Sequence, residues 1–230
     1  MCRLFGSSVA TPAAFHGDWL MEFSLLADTG IVSAGSPPGH RDGWGVAGVV
    51  DGSPTVLARQ TGSIRADPGV LDATRRILER VHPDPVLAHL RKASPGLAVS
   101  LANTHPFLAG DTLFCHNGSI HDAARLPLRD PAVLRGTTDS ERWMAFMLEQ
   151  AGTAAGDAFT DALAGAIRDA RALTAATAWN FLLIRGRRLF AYRDSHSRDP
   201  GVHTLSLATL HDVRGPGCPV VSVDYRVSVG

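Results

Sequence analysis

The sequence predicts an α+β fold in which two sheets carry helices on their outer faces. Two observations support this. Strand-like segments fall in two blocks, one before and one after a pair of helical segments. The chain has 230 residues, 45% of them hydrophobic and 19% charged, enough for one substantial core. No internal repeat or low-complexity linker interrupts it, so residues 1–230 read as a single domain.

The elements follow in order. CRLFGSSVA begins as a short strand, and a helix is expected from about Ala14 to Ala27. TGIVSAGSPPGHRDG, with five glycines between Gly30 and Gly45 and the pair Pro37-Pro38, is a loop. WGVAGVV is a strand, Asp51-Gly52-Ser53-Pro54 a hairpin turn, and TVLARQ the partner strand. Asp67 caps a helix that starts at Pro68 and carries Val70, Leu71, Ile77 and Leu78 at helical spacing. PVLAHLR and TLFCHN are buried strands. Residues 138–150 form an amphipathic helix with Trp143, Phe146 and Met147 on its core face, and an alanine-rich helix runs from Asp157 to Leu173. WNFLLI, RLFAYR, HTLSLAT and CPVVSVD complete the strands.

Net charge is +0 and no basic stretch stands out, so neither a nucleic-acid footprint nor an anionic membrane surface is expected as partner. Lys92 is the only lysine. Cys2, Cys115 and Cys218 are too few and too widely spaced for a disulfide framework or a paired-cysteine zinc site. No HExxH spacing occurs among the ten histidines, and neither a metal nor another cofactor is expected. The start lacks a basic segment followed by an apolar run, and no stretch reaches the roughly 18–20 apolar residues of a membrane span. The expected location is cytoplasmic.

Four short stretches carry chemistry. Cys2 follows the initiator Met1. With Met1 removed it would hold a thiol of pKa about 8.5 beside an amine of about 7.7–8.0, a nucleophile and its base on one residue. Its bland alternative is a small hydrophobe in a first strand. Arg91 ends the AHLR strand and presents a planar guanidinium suited to a carboxylate, or is a surface charge. In FCHNGSI, Asn117 and Gly118 supply either a turn or two oxyanion donors. In GTTDSER, Thr138 or Asp139 caps a helix, or Asp139 holds an ammonium group.

Together these stretches resemble the glutaminase domain of class II glutamine amidotransferases, members of the N-terminal-nucleophile hydrolases. The resemblance rests on Cys2, Ala88-His89-Leu90-Arg91, Asn103-Thr104-His105-Pro106, His116-Asn117-Gly118 and Asp139-Ser140-Glu141, in that order. MCRLFG and HRDGWG, residues 40–45, are similar to the small stand-alone branch of that family. It implies a four-layer αββα sandwich of two mainly antiparallel sheets. It also implies that Cys2 is the nucleophile, Asn117 and Gly118 bind the oxyanion, Arg91 holds the substrate α-carboxylate and Asp139 its α-ammonium. His105 would shape the site. One departure stands out: the larger synthases have a tryptophan after the arginine, where this chain has Lys92.

Cys115, beside His116, is a rival nucleophile, although a cysteine within a strand usually serves as a core hydrophobe. Cys218 reads as structural. His40, Arg41 and Asp42 lie either near the active site or at the cap of the WGVAG strand. The expected activity is that of a stand-alone amidohydrolase cleaving a small-molecule γ-glutamyl amide through a thioester on Cys2. The alternatives are a glutaminase subunit feeding ammonia to a separate synthetase and a non-catalytic γ-glutamyl-binding module. Oligomeric state is not legible.

Overall fold

Successive side chains of a strand point to opposite faces of its sheet, and in this protein both faces of each sheet are covered. The structure is a computed structural model that describes residues 2–9, 18–32 and 36–194. The first sheet holds β1 (Arg3–Ser7), β2 (Trp44–Val50), β3 (Ser53–Gln60) and β4 (Val86–Leu90), in the order β1-β4-β2-β3. The second holds β5 (Phe107–Ala109), β6 (Thr112–Asn117), β7 (Asn180–Arg185) and β8 (Arg188–Tyr192), in sequence order. Every pairing is antiparallel. The helices are α1 (Asp18–Thr29), α2 (Pro68–Val81), α3 (Asp139–Ala151) and α4 (Gly156–Leu173).

Three apolar layers follow from this parity. Trp44, Val46, Val86, Ala88 and Leu90 pack outward on Leu20, Phe23 and Ala27 of α1 and Leu71 and Leu78 of α2. Phe114, Phe181 and Leu183 pack outward on Trp143, Phe146 and Met147 of α3 and Phe159, Leu163 and Ile167 of α4. Between the sheets, Ala47, Val49 and Leu87 meet Leu113, Cys115, Leu182 and Ile184. The result is the four-layer αββα sandwich. Fully burying one leucine or isoleucine contributes about 1.5–3 kcal/mol, so the seven-residue inner layer is a major cohesive term.

Several boundaries differ from the sequence reading for identifiable reasons. The described part of α1 extends two residues past Ala27, to Thr29, whose hydroxyl donates to the Leu25 carbonyl. The β2–β3 turn is only Asp51-Gly52, both at positive φ (49° and 79°), so Ser53 and Pro54 already belong to β3. Pro54 is tolerated because β3 is an edge strand. Asp67 does cap α2, its Oδ1 accepting from Gly69 N and Val70 N. Ile77, however, is 40% exposed: the buried stripe runs through Leu71, Thr74 and Leu78, and Ile77 falls on its shoulder. Strand β5 is three residues long and carries no alternation, so periodicity misses it. HTLSLAT, CPVVSVD and Cys218 lie outside the described residues.

Cys115 sits in the inner layer with no exposed surface, and burial pushes its thiol well above the ordinary range. In the native protein, peptide mapping after iodoacetamide treatment should find Cys115 unmodified, with labelling only after unfolding. Modification of folded protein at Cys115 would show that the inner layer opens.

Candidate active site

The site forms where strand parity and strand ends coincide. Leu4 faces the second sheet while Phe5 faces the helices, so Cys2, one step before β1, faces the second sheet as well. Antiparallel pairing sets Arg3 opposite Leu90, which brings Cys2 level with Arg91 at the C-terminal end of β4. On the other sheet, Cys115 faces inward, so Asn117, two residues on at the end of β6, faces inward too. Cys2 and Asn117 therefore meet across the sandwich. The backbone N–H of Cys2 donates to Asn117 Oδ1 at 2.8 Å, and the thiol Sγ lies 3.7 Å from the Lys92 carbonyl oxygen. With Oδ1 occupied, the Nδ2 group of Asn117 is the side chain's remaining donor.

The turn after Asn117 is sterically fixed. A Cβ on Gly118 would stand 1.9 Å from the Ala178 carbonyl oxygen and 2.8 Å from His116 Nε2, so only glycine fits. His116, 1% exposed, is tied at both ring nitrogens, Nδ1 to Ser140 Oγ at 2.9 Å and Nε2 to Ala178 O at 3.2 Å. Burial lowers its pKa and the Asp139 carboxylate opposes that shift.

Arg91 is 3% exposed and has no carboxylate partner among the described residues. Its Nη2 donates to Ala98 O at 3.1 Å and its Nη1 bonds to nothing. Burial lowers its pKa, while Cys2 and Asp42 act in the opposite direction. Asp139 begins α3 but does not cap it: Thr138 Oγ1 accepts from Glu141 N. The Asp139 carboxylate instead accepts from Ile120 N at 2.6 Å and Ser140 N at 2.9 Å, which anchors α3 two residues beyond Gly118. A carboxylate has about four lone-pair sites, so it retains acceptor capacity. Ser94 and Ser119 approach within 3.3 Å across the opening between these two arms.

Three supports lay beyond sequence reasoning. Asn103, 2% exposed, donates from Nδ2 to the same Ala98 carbonyl that holds Arg91, and its Oδ1 accepts from Thr137 N at 2.8 Å. It thereby links the Arg91 arm to the residues just before Asp139. Asp42 accepts from Ala93 N at 2.8 Å, while its own N–H donates to the Arg91 carbonyl, so the HRDGWG segment holds the backbone on both sides of Lys92. Gly45 lets NTHPF pass: a Cβ there would meet His105 O at 2.5 Å. Long-range contacts of this kind leave no periodic signal in a sequence.

His105 lies behind this front, 4% exposed, its ring 4.3 Å from those of His89 and Phe107. It touches neither Cys2 nor Asn117 through any hydrogen bond. His40 is buried with Nδ1 on Leu26 O, and Arg41 pairs with Asp28 on the exposed surface. No group of three or more potential metal ligands exists among the described residues. A hollow of about 590 Å³ beside β5 and α3 shares no lining residue with Cys2, Arg91, Asn117 or Asp139.

Two antiparallel sheets between helical layers, with a cysteine leading β1 into the sheet interface, define the N-terminal-nucleophile hydrolase architecture. Residues 1–212 match the class II glutamine amidotransferases, and the chain belongs to that family. Among solved structures it is similar to a predicted glutamine amidotransferase from Pseudomonas aeruginosa. The match has 25% identity over 73% of this chain and 66% of that one, with a TM-score of 0.48. It shares its fold with the glutamine phosphoribosylpyrophosphate amidotransferase of B. subtilis. That match has 15% identity over 84% of this chain and 37% of that one, with a TM-score of 0.51. The chain thus spans less than two thirds of the length of either protein. No curated protein sequence matches it significantly. The protein is an enzyme of the amidohydrolase type, and its family's general reaction is hydrolysis of the glutamine amide. No helix among the described residues is long and apolar enough to cross a membrane.

Three buried histidines predict a pH response. Burial lowers His40 to about 4 and holds His89 and His105 well below the ordinary 6.5. Below about pH 6.5 the unfolded chain takes up protons that the native protein refuses, so stability is full above that pH and falls as pH drops toward 4. Thermal midpoints should decline from pH 6.5 to 5, and His105→Leu should flatten that decline. An equal slope in the variant would mean that His105 protonates within the fold.

Proposed function

We propose that the protein hydrolyses a γ-glutamyl amide through a thioester on Cys2, after removal of Met1. The observation that carries this reading is the 2.8 Å hydrogen bond from Cys2 N to Asn117 Oδ1. Freed of Met1, that nitrogen is an amine with two hydrogens and one lone pair. It can donate to Asn117 and still accept the thiol proton. The same bond turns Asn117 Nδ2 away from the nitrogen and toward the space in front of Sγ, where an oxyanion would form.

The steps follow from these positions. The amine takes the Sγ proton and the thiolate attacks the γ-carbonyl carbon. Asn117 Nδ2 and Gly118 N–H receive the oxyanion. The ammonium then returns its proton to the departing nitrogen, the C–N bond breaks, and a γ-glutamyl thioester remains. Water, deprotonated by the same amine, attacks the thioester carbon; the C–S bond breaks and glutamate leaves. One hard displacement becomes two easier ones.

Arg91 Nη1, buried without a bond, is the natural partner for the substrate α-carboxylate, and Asp139 for its α-ammonium. A substrate lacking either group would leave a buried charge uncompensated. The finer part of the reading is that the protein acts on its substrate alone. Activity on glutamine that rises sharply with an added synthetase would instead favour a glutaminase subunit.

The reading is tested by intact mass before and after exposure to a diazoketone analogue of glutamine. The expected result is loss of Met1 and a single adduct, on Cys2. A mature chain that stays unlabelled at Cys2 would favour a binding module. Asn117→Ala should lower kcat by about 10²–10³-fold. Asn117→Asp, which keeps the acceptor for Cys2 N but loses the donor, should do no better. A loss below roughly threefold in both would remove Asn117 from the oxyanion site.

A further inference from the structure

Cationic side chains exceed anionic ones at the mouth of the site by more than the glutamyl half of a substrate can use. Arg91 is the interior cation, assigned above to the α-carboxylate. Two further cations stand beside Cys2. Arg3 donates from Nη1 to the Cys2 carbonyl at 3.2 Å and from Nη2 to Ile31 O at 2.5 Å. Lys92, whose own carbonyl faces Cys2 Sγ, donates from Nζ to Pro37 O at 3.3 Å. Neither forms an ion pair with a carboxylate among the described residues. The nearby acids are otherwise engaged: Asp28 pairs with Arg41 and Arg65, and Asp42 accepts from the Ala93 backbone.

Both cations are only half-buried and hold neutral carbonyls of the segment that follows α1. Both also act on one buried ring: after the dominant effect of burial, the charges of Arg3 and Lys92 each help keep His40 neutral. Two positive groups within one side-chain length of a nucleophile, bonded only to carbonyls, form a receptor for an anion. A carboxylate would exchange neutral hydrogen bonds for charge-assisted ones of about twice the strength. Such an anion cannot belong to glutamine, whose one carboxylate goes to Arg91 and whose leaving group is neutral ammonia. It must lie on the amine side of the scissile bond.

We propose that Arg3 and Lys92 form a leaving-group subsite and that the preferred substrate is a γ-glutamyl conjugate of an amino acid or peptide bearing a carboxylate. The inference rests on the γ-glutamyl reading above and names the half of the substrate that reading leaves open. Attack, proton return to the amine nitrogen and thioester hydrolysis are unchanged; only the departing amine differs.

The test compares protein freed of Met1 on three substrates: glutamine, γ-glutamylmethylamide and γ-glutamylglycine. The last two differ by one carboxylate on the amine half. The expected kcat/KM ratio of γ-glutamylglycine to γ-glutamylmethylamide is about tenfold or more, the worth of one charged hydrogen bond. The ratio should contract as salt rises, because the subsite is partly open to solvent. Lys92→Met should bring it near unity, Arg3→Gln should lower it, and Lys92→Arg should preserve it. A wild-type ratio at or below one, or a ratio unmoved by Lys92→Met, overturns the subsite while leaving γ-glutamyl hydrolysis intact. Hydrolysis of none of the three sinks the amidohydrolase reading itself and this inference with it.

Discussion

The bond between Cys2 N and Asn117 Oδ1 is the constraint on which the rest of the site depends. Cys2 leads an edge strand of one sheet, and Asn117 ends a strand of the other. A chain terminus beside an edge strand would ordinarily fray. Here the first backbone donor of β1 is held by a side chain 4% exposed, across the sheet interface. Sheet separation is therefore coupled to the position of the thiol. Asn117 itself cannot drift, because His116 before it is tied at both ring nitrogens and Gly118 after it lies against Ala178 O. A change in the packing of α3 reaches Cys2 through Ser140, His116 and Asn117 in three short steps.

A second constraint concerns charge. Arg91 is nearly without solvent and keeps one nitrogen unbonded. An unpaired buried donor is costly, by about 1–3 kcal/mol or more when charged. Such a group survives only where the surrounding structure holds it. The holding is visible: Ala98 O fixes one nitrogen, Asn103 fixes Ala98, and Asp42 fixes the backbone before and after Lys92. Through Thr137, Asn103 also reaches the segment that delivers Asp139. The two arms that would grasp an amino-acid head group are thus parts of one hydrogen-bonded frame. Their spacing is set before any ligand arrives, which reduces the ordering cost of binding.

How much of this was legible in the sequence differs by physical type. Period-2 alternation and turn chemistry placed β2, β3, β4, β6, β7 and β8, and Asp67-Pro68 placed the start of α2. The three-residue β5 and the solvent-facing Ile77 escaped because neither is a matter of periodicity; one depends on pairing with β6 and the other on where Thr74 sits. Within the site, Cys2, Arg91, Asn117, Gly118 and Asp139 were singled out by residue type and order, and pleat parity gathers the first three at one end of the sandwich. Asp139 also takes on an anchoring bond to Ile120 N that spacing could not suggest. Asn103 stood in a quoted motif without a role, since its role is a contact with residues 34 positions away. Lys92 was noted as the chain's only lysine, but its meaning depends on the carbonyls it touches.

The same sandwich also shows why one cysteine can be reactive while its neighbour is not. Cys115 and Asn117 lie on one face of β6, two residues apart, and Cys2 stands opposite Asn117. Cys115 is enclosed among Leu113, Leu182 and Ile184, where a thiolate would be an uncompensated charge, and burial drives its pKa up. Cys2, one strand-end away, is half-buried and surrounded by Arg3, Arg91 and the Asn117 amide. These groups favour negative charge by charge or by hydrogen bond. Position along the strand, not the residue type, separates the two. The middle of the inter-sheet layer excludes water and charge and so holds the sheets together. The end of that layer admits solvent from one side and cations from the other, and only there can a sulfur be made nucleophilic without weakening the core.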